Sequence, residues 1–217
     1  MSQIVPTILT NNLNFFNQFE TVYTTFAKRI QIDICDGKFV PIPTVSEKDI
    51  ALTKADTIDY DLHMMVKNPS EHLERIIALH PSLCIFHAEC SENLLPIFER
   101  LKASNIKTGV AILKTTFPGK IKPYIEIADH ALIFAGQLGK QGSKADMMQI
   151  EKIPILRNIK SDIEIGWDGG ANMDNIRELA HSGIDVINIG SALSRSTDPA
   201  KVYEALDLES SKNGVTI

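Results

Sequence analysis

The amino-acid sequence predicts an α/β chain folded as one (β/α)8 TIM barrel, a single domain over residues 1–217. Three observations carry that expectation. Short runs rich in β-branched residues alternate with segments of helical apolar spacing from one end to the other. Eight such pairs fill the chain at about 27 residues each, a short but admissible barrel unit. No Pro/Ser-rich linker or change of composition divides the chain. A doubly wound open sheet is the competing architecture, but no G-x-G-x-x-G run follows the first strand.

Residues 3–9 are apolar and β-branched, hence a strand, and Thr10-Asn11-Asn12 supplies a turn and a helix cap. Leu13, Phe16, Phe19 and Val22 then recur at helical spacing as far as residue 27. Residues 30–35 form the second strand. By alternation Gln31, Asp33 and Cys35 share one face, and Ile30, Ile32 and Ile34 the other. Asp36-Gly37 turns the chain out, a Pro-rich loop follows, and Thr44 or Ser46 caps a short helix through Leu52. The third strand, 58–65, puts Asp61, His63 and Met65 on one face, and its helix carries Leu73, Ile76 and Ile77. Strands 83–88 and 108–113 follow, with helices over 93–103 and after Pro118. The sixth strand, 130–135, leads into the most glycine-rich loop and a helix over 147–159. Strand 163–167 pairs with helix 172–182, and strand 186–189 with a closing helix over 199–208.

Composition narrows the function classes. The chain is 44% hydrophobic and 23% charged, an ordinary soluble globular balance. A net charge of -5 and scattered cations exclude a sequence-independent grip on nucleic acid or an anionic membrane. No apolar run approaches the ~20 residues of a membrane span. Cys35, Cys84 and Cys90 form no CxxC pair, and the N-terminus lacks secretory-signal features, so a cytoplasmic location is expected.

An acid facing inward at the C-terminal end of a strand is where α/β proteins keep their chemistry, which makes Asp33 the first candidate. The alternative is a solvated edge strand. The continuation Asp36-Gly37-Lys38-Phe39-Val40-Pro41 makes this run resemble the signature of the ribulose-phosphate 3-epimerase family. Further motifs resemble that family in the same order. They are Val5-Pro6-Thr7-Ile8-Leu9, Asp61-Leu62-His63-Met64-Met65-Val66 before Asn68-Pro69, Phe86-His87-Ala88-Glu89, Gly109-Val110-Ala111 and Gly166-Trp167-Asp168-Gly169-Gly170. Three departures stand out: Gln31 where the family shows a His, Cys35 where it shows a Met, and Thr7 for a usual Ser.

The resemblance implies epimerisation at C3 of a ketose phosphate, with D-ribulose 5-phosphate and D-xylulose 5-phosphate as the first pair. It implies Asp33 and Asp168 as the two acid/base residues. It also implies a divalent metal (Zn, Fe, Mn or Co) held by Asp33, His63 and Asp168, with Gln31 at the position of the missing His. The chemistry wants these types: one group removes the proton α to the C2 carbonyl, another returns one to the opposite face, and a cation suits the enediolate between. Gly139, Gly142 and Ser143, Gly169-Gly170, and Gly190-Ser191 fall after strands six, seven and eight. There, backbone N–H groups and a short helix N-terminus form the phosphate site of such barrels. Thr7 and Met65 complete the expected substrate contacts.

The strand-six loop departs from the family through Lys140 and Gln141. Lys140 and Arg195 are either phosphate partners or solvated cations. His87 and Glu89 share a face, which suits a hydrogen-bonded structural histidine better than a ligand. Met65 and Phe134 line the mouth or belong to the core. Cys35 is a soft ligand, a reactive thiol or a small buried hydrophobe. His130 and His181 have no partner legible in the sequence. The expected partner is a small sugar phosphate, with no nucleic acid and no membrane, and a homo-oligomer is allowed. Two rivals remain at this level: a 3-epimerase of a six-carbon ketose 6-phosphate, and a non-catalytic sugar-phosphate binder suggested by Gln31. The decarboxylase/hexulose-phosphate synthase group would require a DxKxxD run at strand three, which Asp61-Leu62-His63 does not match.

Overall fold

A computed structural model describes residues 2–51 and 58–212. Eight strands pair in chain order, all parallel, and the last pairs with the first to close a barrel. They are β1 (Gln3–Ile8), β2 (Arg29–Cys35), β3 (Asp59–Met65), β4 (Leu83–His87), β5 (Lys107–Ile112), β6 (His130–Phe134), β7 (Glu164–Asp168) and β8 (Val186–Ile189). The helices are α1 (Leu13–Tyr23), α2 (Glu47–Ala51), α3 (Leu73–Leu79), α4 (Leu94–Ala103), α5 (Lys122–Ile127), α6 (Lys152–Ile159), α7 (Ile176–His181), α8 (Ser191–Ser194) and α9 (Pro199–Ser211). This is the expected single-domain (β/α)8 barrel. No helix among the described residues is long and apolar enough to cross a membrane.

Local chemistry explains the boundaries. Asn12 Oδ1 accepts the N–H groups of Asn14 and Phe15, the cap expected there, and Asn93, expected as the first helical residue, caps α4 instead by accepting the Leu95 N–H. Ser46, not Thr44, opens α2, bonding Asp49 through both its N–H and its hydroxyl. The predicted end of that helix, Leu52, lies outside the described residues. The helix expected over 147–159 splits into a 3₁₀ turn, Met147–Glu151, followed by α6. Pro154 is the reason: without an N–H, and crowding the carbonyl four residues back, it fits only the first turn of an α-helix. The helix expected from Asn172 begins at Ile176 instead. Asn172 and Asn175 donate their amides to Gly170 O at 3.1 and 3.0 Å, tying down the loop after β7.

Outward-facing strand residues such as Ile30, Ile32, Ile34, Leu62 and Met64 pack beneath the helices in one continuous core. The barrel interior is layered. Its middle is apolar, with Leu83, Ile85, Ala111 and Leu132 in contact. Its base is charged. Arg29 Nε donates to Asp61 Oδ2 at 2.7 Å, and Nη1 and Nη2 donate to the two Glu164 oxygens at 3.0 Å each. His130 Nδ1 lies 2.7 Å from Glu164 Oε2, which gives His130 its partner. His181 Nδ1 bonds Arg177 O at the end of α7. Burial pushes the Asp61 carboxyl up to about 6 despite the adjoining guanidinium. Burial acts upward on Glu164 too, but hydrogen bonds from His130 and Arg29 outweigh it and hold that carboxyl well below its ordinary range.

Candidate active site

Register brings the polar residues of the barrel mouth together. Along the β2–β3 pair Asp33 lies beside His63 and Cys35 beside Met65, and along β6–β7 Phe134 lies beside Asp168. Gln31 Nε2 donates to Asp33 Oδ1 at 3.0 Å and to Asp168 Oδ2 at 2.6 Å. His63 Nδ1 is 3.0 Å from Asp33 Oδ1 and 3.4 Å from Asp168 Oδ2. All four side chains are buried. The end of β2 is clamped from behind, where Thr44 Oγ1 donates to Asp33 O and accepts the Cys35 N–H, both at 2.9 Å. Asp36 shapes the turn: its carboxylate accepts the backbone N–H groups of Lys38, Phe39 and Lys67.

Burial and the charge of Asp168 raise the Asp33 pKa to about 6. Burial works against a charged imidazole at His63, yet Asp168 and Asp33 outweigh it and carry its pKa up to about 9. The mouth therefore favours added positive charge. The metal implied by the resemblance finds a fitting donor set: one ligand atom each from Asp33, His63 and Asp168, all within 4.8 Å of one another. Gln31 Oε1 is buried and unpartnered among the described residues, a spare neutral oxygen in the same nest.

Above this nest opens a cleft. Asp33 and Asp168 line its floor, with Thr7, Met65 and Phe134 beside them. Gly139, Gly142 and Ser143 after β6, Gly169 and Gly170 after β7, and Gly190 and Ser191 after β8 line the same cleft. Every residue expected to contact substrate thus borders one space. Lys140 borders it as well. Arg195 packs against the β6 loop, its guanidinium 2.8 Å from where a Gly142 Cβ would stand.

Packing of the β6 loop by itself calls for glycine at 169 and 170. Both have positive φ, and a Cβ on either would fall 2.2 Å from a backbone nitrogen of the β6 loop, Gly136 and Ala145 respectively. At Gly190 the nearest neighbour is Gln141 Nε2 at 3.7 Å, so the space above it is open to a ligand.

Cys35 is a packing residue: it is buried with Val40 and Met65, its sulfur 3.9 Å from the Met65 sulfur, and burial pushes its thiol pKa up. His87 proves to be bonded within the site, its Nε2 2.9 Å from His63 Nε2. The sequence reading missed Asn188, a buried polar residue on the cleft whose Oδ1 has no partner among the described residues, as also holds for Thr7 Oγ1. A signal existed, since an amide between Ile187 and Ile189 in a strand must face the opposite side from them. Thr44 was missed as a clamp, because its role needs the loop to fold back on β2.

Residues 3–194 match the model of the ribulose-phosphate 3 epimerase family. The chain is 28% identical to the cytoplasmic isoform of ribulose-phosphate 3-epimerase from Oryza sativa subsp. japonica, across 98% of this chain and 96% of that protein. It is 26% identical to ribulose-phosphate 3-epimerase from Helicobacter pylori strain J99, across 94% of this chain and 96% of that protein. Among solved structures it resembles 3-hexulose-6-phosphate synthase from Salmonella typhimurium, with TM-score 0.72, 15% identity, and coverage of 96% and 98% of the two chains. It also resembles orotidine 5'-phosphate decarboxylase from Pyrococcus horikoshii, with TM-score 0.70, 13% identity, and coverage of 97% and 100%. At such identities these two structures show the barrel alone.

Proposed function

The chain belongs to the ribulose-phosphate 3-epimerase family, and from that premise we propose that it interconverts D-ribulose 5-phosphate and D-xylulose 5-phosphate by proton transfer at C3. The observation that carries the reading is the convergence of Asp33 and Asp168, from β2 and β7, on one cleft beside His63. In one direction an ionised carboxylate removes the C3 proton, and the other, protonated, returns one to the opposite face. The roles exchange in reverse. A pKa near 6 at Asp33 keeps both protonation states accessible around neutral pH. Gln31, donating to both acids, holds them in register with each other. Met65 and Phe134 wall the reacting carbons from water. Asp33, His63 and Asp168, with Gln31 beside them, would hold a divalent cation, which supplies positive charge to the oxygens of the enediolate. Ser191 and the backbone N–H groups at Gly142, Gly170 and Gly190 take the phosphate.

Exchange of the C3 hydrogen in deuterated water tests this directly. Ribulose 5-phosphate should exchange and epimerise, phosphate-free ribulose should bind far more weakly, and a six-carbon ketose 6-phosphate measures the tolerance for chain length. Tight binding of every ketose phosphate with no exchange would replace the enzyme with a sugar-phosphate binder.

A further inference from the structure

At the centre of the mouth two imidazoles face one another through the same kind of atom. His63 Nε2 lies 2.9 Å from His87 Nε2, and both rings are fully buried, His87 between Phe39 and Phe134. At that distance a single proton lies between the two nitrogens, because two N–H groups cannot point at each other. The outer nitrogens have different company. His63 Nδ1 faces Asp33 and Asp168, whereas His87 Nδ1 lies 3.4 Å from Glu89 Oε2. Glu89 is anchored by its other oxygen, Oε1, which accepts the Leu113 N–H at 2.9 Å and the Thr116 hydroxyl. Oε2 and His87 Nδ1 are both buried, and neither makes a hydrogen bond among the described residues, so each is the other's nearest polar company.

This arrangement selects one tautomer. With its proton on Nε2, His87 would turn the Nδ1 lone pair toward a carboxylate oxygen, a repulsive contact. With its proton on Nδ1, the same contact becomes a charge-assisted attraction. Nε2 of His87 is then the acceptor, and the proton between the rings belongs to His63 Nε2. His63 thus keeps Nε2–H as its donor, and a cation that displaces the proton Asp33 and Asp168 favour on Nδ1 would find the lone pair there.

The geometry points to Glu89 and His87 as positioning residues: Glu89, acting through His87, sets the tautomer in which His63 offers Nδ1 to a cation. A hydrogen-bonded partner on the far nitrogen is the usual means of fixing a ligand histidine; here it takes two steps. The cation half of the inference rests on the role proposed for His63, while the tautomers do not.

Glu89→Gln is the deciding variant. The Leu113 N–H requires an acceptor, so the carbonyl oxygen of the glutamine takes the place of Oε1 and its NH2 that of Oε2. The amide then donates to His87 Nδ1, which moves the His87 proton to Nε2, removes the proton from His63 Nε2 and leaves that of His63 on Nδ1, the atom a cation needs. Long-range ¹H–¹⁵N spectra of histidine-labelled protein read both tautomers. The wild type should show His87 protonated on Nδ1 only, and Glu89→Gln should show His87 protonated on Nε2 only and His63 on Nδ1 only. Zinc affinity by titration should fall by about 10–100-fold in the variant. Wild-type His87 protonated on Nε2 overturns the proposal even if the variant fails to fold; so does a folded variant with unchanged tautomers or unchanged zinc affinity. Failure of C3 exchange would leave the tautomers as they are, so the two readings fail separately.

Discussion

The barrel buries charge at both ends of the same strands, and the two ends treat it differently. β2 sends Arg29 to the base and Asp33 to the mouth, β3 sends Asp61 and His63, and β7 sends Glu164 and Asp168. At the base a guanidinium meets both acids with charge-assisted bonds, and His130 reinforces one of them. At the mouth two carboxylates converge on one imidazole and an uncharged amide. The base has its compensating cation within the chain. The mouth sets its two acids against an imidazole that can give up its proton, beside an open cleft through which a cation from outside can take that place. Buried polarity alone therefore does not mark a site; titratable polarity next to a cleft does.

The sharpest test of this division is at the mouth. Asp33→Asn and Asp168→Asn keep the shape and remove proton transfer, so each should slow epimerisation by roughly 10²–10⁴-fold while the protein stays folded. Turnover and substrate binding, measured for both variants, decide it, and near-normal turnover would erase the distinction between the ends. The base should respond in stability instead. Arg29→Met leaves Asp61, 2% exposed, without its cation and should cost on the order of 3 kcal/mol in urea unfolding. Its C3 exchange rate per folded molecule should stay unchanged; lost exchange at full stability would give the base a catalytic part.

Gln31→His refines the account of the mouth. An amide oxygen is a poor ligand for zinc or iron, so the imidazole should raise zinc affinity by about 10–100-fold in titrations of apo protein. Equal affinities would mean that Gln31 does not face the cation. The smallest effect expected is at the base and depends on pH. The folded-state pKa of Glu164 lies below its unfolded value near 4.3, so its contribution is present above about pH 4.3 and fades as the pH falls further. Because Glu164 is 38% exposed, solvent screens much of that contribution. The melting-temperature gap between wild type and Glu164→Gln should narrow from pH 6 to pH 3, and a gap that widens would reverse the sign.

The sequence by itself determined the eight strands, the faces they present and most of the residues around the cleft. Alternation is a property of each strand's own backbone, so Gln31, Asp33 and Cys35 had to oppose Ile30, Ile32 and Ile34 whatever their neighbours. The order of motifs likewise set Asp168 and the glycine pair at the end of β7. Tertiary structure alone decided who meets whom across the barrel. That Gln31 donates to an acid 137 positions away, that His130 shares Glu164 with Arg29, and that His87 links His63 to Glu89 are all set by closure. So is the need for Gly169 and Gly170, which comes from the loop after β6 packing against them. Closure sums the register of eight successive pairings, and that sum has no local signature in the chain.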